Sequence, residues 1–201
     1  MSNLQLYYHP MSGHCHKVMC LASMLKLDIA MVLLDLKSGQ QKSAEFLSLN
    51  ALGQVPVLVD EQLVLSDSHA ILAYLALRYD PDHTWYPQAP EQQAKIQRFL
   101  ALSAGEICQG PNLYRGIKAL GKSGDLELAY HRTTAVFSFL DQNLKNNQWL
   151  VGNFPTIADV AIYSYLALAV KAGFPLADFT NTATWLERFE QLPGFINTAD
   201  K

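Results

Sequence analysis

Two short stretches carry residue types and spacings suited to chemistry. Asn50-Ala51-Leu52-Gly53-Gln54-Val55-Pro56 is a turn that runs into the apolar residues Val57-Leu58-Val59. A proline at the entrance to a strand fixes its own φ and lacks a donor. A cis bond before Pro56 would bend the chain sharply and leave the Val55 N–H and C=O facing outward. An extended peptide held like an added strand needs those two groups. Eleven residues on, Asp67-Ser68 opens a helical run, Ala70-Ile71-Leu72-Ala73-Tyr74-Leu75. The start of a helix offers unpaired N–H groups and a positive dipole end, so it suits a carboxylate, while Asp67 suits an ammonium. Together the stretches predict a receptor for a small peptide with an amino-acid head group. Taken singly they also fit a turn, an edge strand and an N-capped helix.

A third group of residues lies near the start. His9-Pro10-Met11-Ser12-Gly13 is a turn between an apolar strand and a helix, and Ser12 stands where an N-cap hydroxyl would. Cys15, in the first turn of that helix, is a rival nucleophile, because a helix N-terminus lowers a thiol pKa. Its plainer reading is a small buried residue. His14, Cys15 and His16 point in successive directions around a helix, so they do not chelate a metal together. The histidines read as surface residues, with His14 a possible thiol neighbour.

These residues need a scaffold. Leu4-Gln5-Leu6-Tyr7-Tyr8 reads as a buried strand, and Val18, Leu21, Ala22 and Leu25 recur at helical spacing over residues 13–26. Residues 29–34 form a second strand, which predicts a right-handed parallel βαβ unit. Residues 37–41 are a polar loop and 44–47 a short helix. Val57-Leu58-Val59 and Leu63-Val64-Leu65 flank Asp60-Glu61-Gln62 as a hairpin, and a helix over 68–79 closes the unit. The order β-α-β-α-β-β-α is that of a thioredoxin-like sheet. Three prolines between Asp80 and Pro90 mark a linker. Beyond it the patterns are helical: residues 91–109, then 126–144, then an apolar helix behind Thr156 and Asp159, spaced as a capping box. A last helix around Trp185-Leu186-Glu187-Arg188-Phe189 stops at Leu192-Pro193-Gly194. The expected domains are an α/β unit over 1–80, a linker over 81–90 and an all-helical unit over 91–201. Trp185 and Phe189 read as core.

The 201-residue chain is half hydrophobic and 16% charged, with a net charge of −3 and no basic stripe, which speaks against nucleic acid as a partner. Met1 to Tyr7 lacks the basic and apolar segments of a secretory leader. The apolar run 160–170 is too short to span a bilayer. Three cysteines without a CxxC pair fit reduced thiols in a cytoplasmic setting.

Four places in order make the chain resemble a cytosolic glutathione S-transferase: Pro10-Met11-Ser12, Asn50 to Pro56, Asp67-Ser68-His69-Ala70-Ile71, and Gly152-Asn153-Phe154-Pro155-Thr156-Ile157-Ala158-Asp159. The pattern is similar to serine-type members, phi- or theta-like, of bacterial or plant kind, and covers nearly the whole length. The resemblance implies a thioredoxin-like domain followed by an all-α domain, with glutathione as co-substrate and no metal. Val55, before a cis Pro56, would pair with the cysteinyl part of glutathione. Asp67 and Ser68 would hold the γ-glutamyl amino and carboxylate groups, and Gln54 would add a side-chain contact. Plant phi members carry a His-Lys pair that reaches the glycyl carboxylate. Here the place reads Gln41-Lys42, so the charge is kept and the histidine is not.

The implied chemistry is thiol activation. A free thiol has a pKa of about 8.5, so a donor that stabilises S⁻ raises the reactive fraction at neutral pH. Ser12 holds the place of the activating hydroxyl in serine-type members, whereas the redox branch carries its cysteine there. Tyr7 and Tyr8, inside the strand, are the rival hydroxyls. A hydrophobic electrophile is expected between the domains, against Cys108, Pro111, Asn112, Leu113, Tyr114 and Arg115, with Tyr114 and Arg115 as candidate site residues. The family also implies a homodimer. Conjugation by glutathione is the leading activity. Isomerase, peroxidase or thiol-transfer chemistry with the same thiolate, and a non-catalytic binding or regulatory protein on the same fold, are the alternatives.

Overall fold

A computed structural model describes residues 4–198. Met1 to Asn3, on which the leader reading partly rests, and the last three residues of the expected helical domain lie outside the described residues. The chain divides into two compact units, residues 1–81 with 193–201, and residues 82–192.

The first unit is built on a four-stranded sheet in the order β2-β1-β3-β4. Strand β1 (Leu4–Tyr8) pairs in parallel with β2 (Ala30–Leu33) and antiparallel with β3 (Val57–Asp60), which pairs antiparallel with β4 (Leu63–Ser66). Alternation in β1 sends Leu4 and Leu6 into the core, where Val57 and Leu58 are also buried. Helix α1 (Gly13–Met24) is shorter than its apolar spacing predicts, because Lys26 turns to φ +55 and the chain leaves the helix. A short helix α2 (Ala44–Leu49) precedes the Asn50 turn, and α3 (Ser68–Tyr79) packs against α1. The 37–41 loop closes in a 3₁₀ turn over Gln40–Lys42.

The second unit is helical. Helices α4 (Pro90–Ala104) and α5 (Glu106–Gln109) replace the single periodic stretch expected over 91–109, and α6 (Pro111–Leu120), beyond it, was not anticipated as a helix. The breaks fall at Gly105 and Gly110. A Cβ on Gly110 would come within 3.0 Å of the backbone at Arg132 and Thr133 of α7 (Leu126–Leu144), so close approach of two helices requires glycine there. Apolar on nearly every side, α8 (Ile157–Lys171) is buried among α4, α6 and α9 (Thr180–Glu190), which is longer than its sequence signal.

Behind the start of α8 the capping box is present, and it does more than cap. Asp159 is fully buried; its carboxylate accepts from Leu150 N (3.0 Å), Thr156 N (2.9 Å) and Trp185 Nε1 (3.0 Å). Burial pushes its pKa up to about 6, against the pull of those donors. Among the described residues no helix is long and apolar enough to cross a membrane. Asp159→Ala strands three buried N–H donors and the Thr156 hydroxyl, and we expect urea unfolding to show a loss of about 3 kcal/mol or more. A loss below about 1 kcal/mol would show that the donors find other acceptors.

Candidate functional site

The first wall of the site is the turn from β1 into α1. Ser12 N–H donates to His9 O (3.0 Å), and Ser12, in extended conformation, caps α1: its Oγ accepts from Cys15 N at 3.3 Å. A hydroxyl that accepts one bond still has its own hydrogen to donate. Cys15 itself is buried. Loss of solvent raises its thiol pKa, opposed by the Ser12 hydroxyl and by His9. Cys20 is pushed up to about 11 by burial. Neither thiol is placed for exchange, which needs an accessible thiolate.

The second wall is the Asn50 turn. Asn50 is buried and stitches the loop from inside: its Nδ2 donates to Gln54 O (2.8 Å), and its Oδ1 accepts from Leu52 N (3.1 Å). Gly53 sits at φ +63, and a Cβ there would lie 2.7 Å from Gln41 O, so the turn needs glycine on both counts. The Val55–Pro56 bond is cis. Among the described residues, no hydrogen bond engages the Val55 N–H or C=O.

The third wall is the start of α3. Asp67 adopts φ +75, unusual for a residue with a side chain, and its Oδ1 accepts from His69 N (2.8 Å) and Ala70 N (3.1 Å). Two of the helix's first N–H groups are therefore used internally. The Ser68 N–H remains for a ligand, fewer donors than a bare helix end offers.

These walls meet at a cavity of about 120 Å³ lined by His14, Asn50, Gln54, Val55, Asp67 and Ser68 among others; of the first wall His14 lines it, while Ser12 stands two residues before and does not. Its polar groups are mixed: an exposed backbone edge, a carboxylate and a helix start. Such a set matches a zwitterionic amino-acid head with a peptide attached.

The histidines correct the reading of residues 14–16. His16 is buried, its Nε2 2.7 Å from Ile196 O, because residues 193–198 return to this unit. His14 is half-buried and its Nδ1 lies 3.1 Å from Ser68 Oγ. Lys17 is wholly buried with Nζ 3.1 Å from His69 Nε2, a contact in which the ammonium donates and a neutral imidazole accepts. Burial first, and the Lys17 charge second, lower His14 from an ordinary 6.5 to about 3 and His69 to about 4; Asp67 pulls both the other way. His14 was read as a surface residue and possible thiol neighbour; its contact with Ser68 was missed because that partner is 54 residues away. The signal within reach was position, since first-turn residues of a helix surround its N-terminal opening.

Other sequence candidates fall elsewhere. Gln41 donates from Nε2 to Leu36 O (3.3 Å), and Lys42 Nζ donates to Leu52 O (3.3 Å), so both flank the Asn50 turn without lining the cavity. Tyr7 is half-buried with its ring against Phe46. In the helical unit Tyr114 is buried edge-on to Phe174, and Arg115 is buried with its pKa lowered by loss of solvent. Among the described residues no group of three or more His, Cys, Asp or Glu is arranged to hold a metal ion.

Comparison with known proteins gives this geometry a lineage. The family model for the glutathione S-transferase N-terminal domain matches residues 2–77, and that for the C-terminal domain matches residues 123–193. Glutathione S-transferase D7 of Drosophila melanogaster is 31% identical over 198 residues, which is 97% of this chain and 88% of that protein. The crystal structure of a possible glutathione S-transferase from Rhodopseudomonas palustris is 28% identical, with a TM-score of 0.88 over 98% of each chain. A glutathione transferase homologue from Drosophila mojavensis, solved with bound glutathione, is 28% identical with a TM-score of 0.88 over 96% of this chain and 90% of that one. The chain belongs to the glutathione S-transferase family.

The two depressed histidines set a pH dependence. Each binds its proton more readily when unfolded, so stability is intact above the ordinary pKa and is lost as pH falls toward the folded values. We expect the melting temperature to drop as pH is lowered from about 6.5 to about 4. In His14→Asn the drop over that window should be smaller; an unchanged drop would contradict the assignment.

Proposed function

We infer that this protein is a glutathione transferase: it binds glutathione in the first unit, favours its thiolate, and joins that sulfur to a small hydrophobic electrophile. The observation that carries the reading is the convergence at one cavity of the unpaired Val55 backbone, the Asp67 carboxylate and the start of α3. Val55 pairs with the cysteinyl residue, Asp67 with the γ-glutamyl ammonium through the carboxylate oxygen not used in capping, and Ser68 with the γ-glutamyl carboxylate. Gln54 contacts the bound peptide, and Gln41 and Lys42 stand toward its glycyl end, beside the loop they support.

Ser12 is the activating group. Its O–H donates to the sulfur while its Oγ keeps its bond from Cys15 N. The thiol proton passes to solvent. The thiolate attacks an electrophilic carbon, a C–S bond forms, and the leaving group departs with its electron pair. A hydrogen bond to the charged form and the nearby start of α1 both favour S⁻. Burial of Cys15 weighs against thiol transfer through that residue. Burial of Tyr114 and Arg115 in the helical unit weighs against direct contact of either with the electrophile.

Two further parts of the reading concern setting. The homodimer is carried by the family resemblance; exposed Leu63 and Val64 on the edge strand β4 and Leu77 on α3 are apolar residues it could cover. Free thiols at Cys15, Cys20 and Cys108 fit a reducing, cytoplasmic environment.

Retention on immobilised glutathione, released by free glutathione, tests binding. With an aryl halide as electrophile, Ser12→Ala should lower kcat about 100-fold, while Cys15→Ser stays within about 2-fold. The opposite ranking would move the nucleophile's partner to Cys15 and favour thiol-transfer chemistry.

A further inference from the structure

His14 belongs to the first turn of α1, yet it lines the same cavity as Val55, Asp67 and Ser68. Its Nδ1 lies 3.1 Å from the Oγ of Ser68, 54 residues further along the chain. The direction of that bond decides what Ser68 can offer a ligand. A hydroxyl has one hydrogen to give and two lone pairs to receive with. If Ser68 donates to His14, only lone pairs remain toward the cavity, and lone pairs repel a carboxylate. If the imidazole carries its hydrogen on Nδ1, it donates to Ser68 Oγ. The Ser68 O–H is then left to donate beside the Ser68 N–H. Only the second arrangement gives a carboxylate two donors at the start of α3, where Asp67 already occupies the N–H groups of His69 and Ala70.

We propose that His14 is a positioning residue: its Nδ1–H holds the Ser68 hydroxyl as a donor toward the γ-glutamyl α-carboxylate of glutathione. The inference rests on the reading of this cavity as the glutathione site. Two observations besides the distance support it. Ser68 is 2% exposed, so the orientation of its hydroxyl is set by what packs on it. His14 is neutral near pH 7, because burial and the Lys17 charge oppose a second proton, so its ring has a single N–H and its bond to Ser68 has a direction. His14 thus acts on the head group through another residue, and its loss weakens binding while sparing the chemistry at sulfur.

A double-mutant cycle tests this. His14→Ala should raise the Kd and KM for glutathione about 10-fold with kcat within about 2-fold. His14→Asn, whose amide N–H reaches about as far as Nδ1–H, should restore binding to within about 3-fold. On a Ser68→Ala background, His14→Ala should add less than about 2-fold. A ligand-side cycle uses 4-aminobutyryl-cysteinyl-glycine, glutathione without the γ-glutamyl carboxylate. The unaltered protein and His14→Ala should bind it equally. Losses that multiply in the double variant, an equal penalty against the truncated ligand, or a fall in kcat at unchanged KM would each overturn the proposal. If His14→Ala does not fold, His14→Leu keeps the bulk without the N–H and enters the same cycles. Should the unaltered protein fail to bind glutathione, the functional reading and this inference fall together. Binding with an additive cycle removes the inference alone.

Discussion

The start of α3 is held by one strained residue, and the candidate site depends on it. Asp67 stands at φ +75 and turns its carboxylate back onto the N–H groups of His69 and Ala70. A side chain in that region of backbone space costs of order 1–3 kcal/mol, and such strain persists where surrounding structure overrides it. Here the cap and the packing of α3 on α1 offset it. What the strain achieves is geometric. It aims the chain from β4 into α3 so that the helix opens onto the cis Val55–Pro56 turn. Relaxing Asp67 would swing the Ser68 N–H and hydroxyl away from the backbone edge at Val55.

Electrostatics in this region are arranged around a buried cation. Lys17 is fully enclosed, and its contact with His69 makes that imidazole an acceptor. A buried ammonium disfavours further positive charge nearby, so both His14 and His69 remain neutral near pH 7. The result is a fixed pattern that does not switch within the physiological range: one cation beneath, two neutral rings, and one carboxylate at the rim. An anionic ligand group meets positive potential from Lys17 and from the helix starts, without competition from a histidine that changes state.

Much of this was legible in the sequence, for identifiable reasons. Strands β1, β3 and β4 and the helix after Asp67 follow from alternation, turn residues and capping, all local signals. Asn50 to Pro56 announces a turn and a strand entrance, and Thr156 with Asp159 announces a cap. The missed features are long-range. The burial of His16 depends on Ile196, 180 residues away, and the pairing of Lys17 with His69 spans 52 residues. No periodicity within α1 marks either. The break of the first helical stretch at Gly105 was hidden because apolar spacing continues across it, whereas its end before Gly110 was legible, although only the approach of α7 at Arg132 and Thr133 accounts for the glycine there. His14 was read as a surface residue and a possible neighbour of the thiol, but its contact with Ser68 was not legible, since that partner stands on another helix.

The central claim is that the first unit lowers the pKa of a bound thiol by a hydroxyl at Ser12 and the helix start behind it. The most direct measurement is the ultraviolet absorbance of thiolate in the glutathione complex, followed as pH is raised. The account predicts that the bound thiol titrates at least about one unit below the free value near 8.5, and that Ser12→Ala returns most of that difference. A bound thiol that titrates like free glutathione, or a shift untouched by loss of the Ser12 hydroxyl, would contradict it.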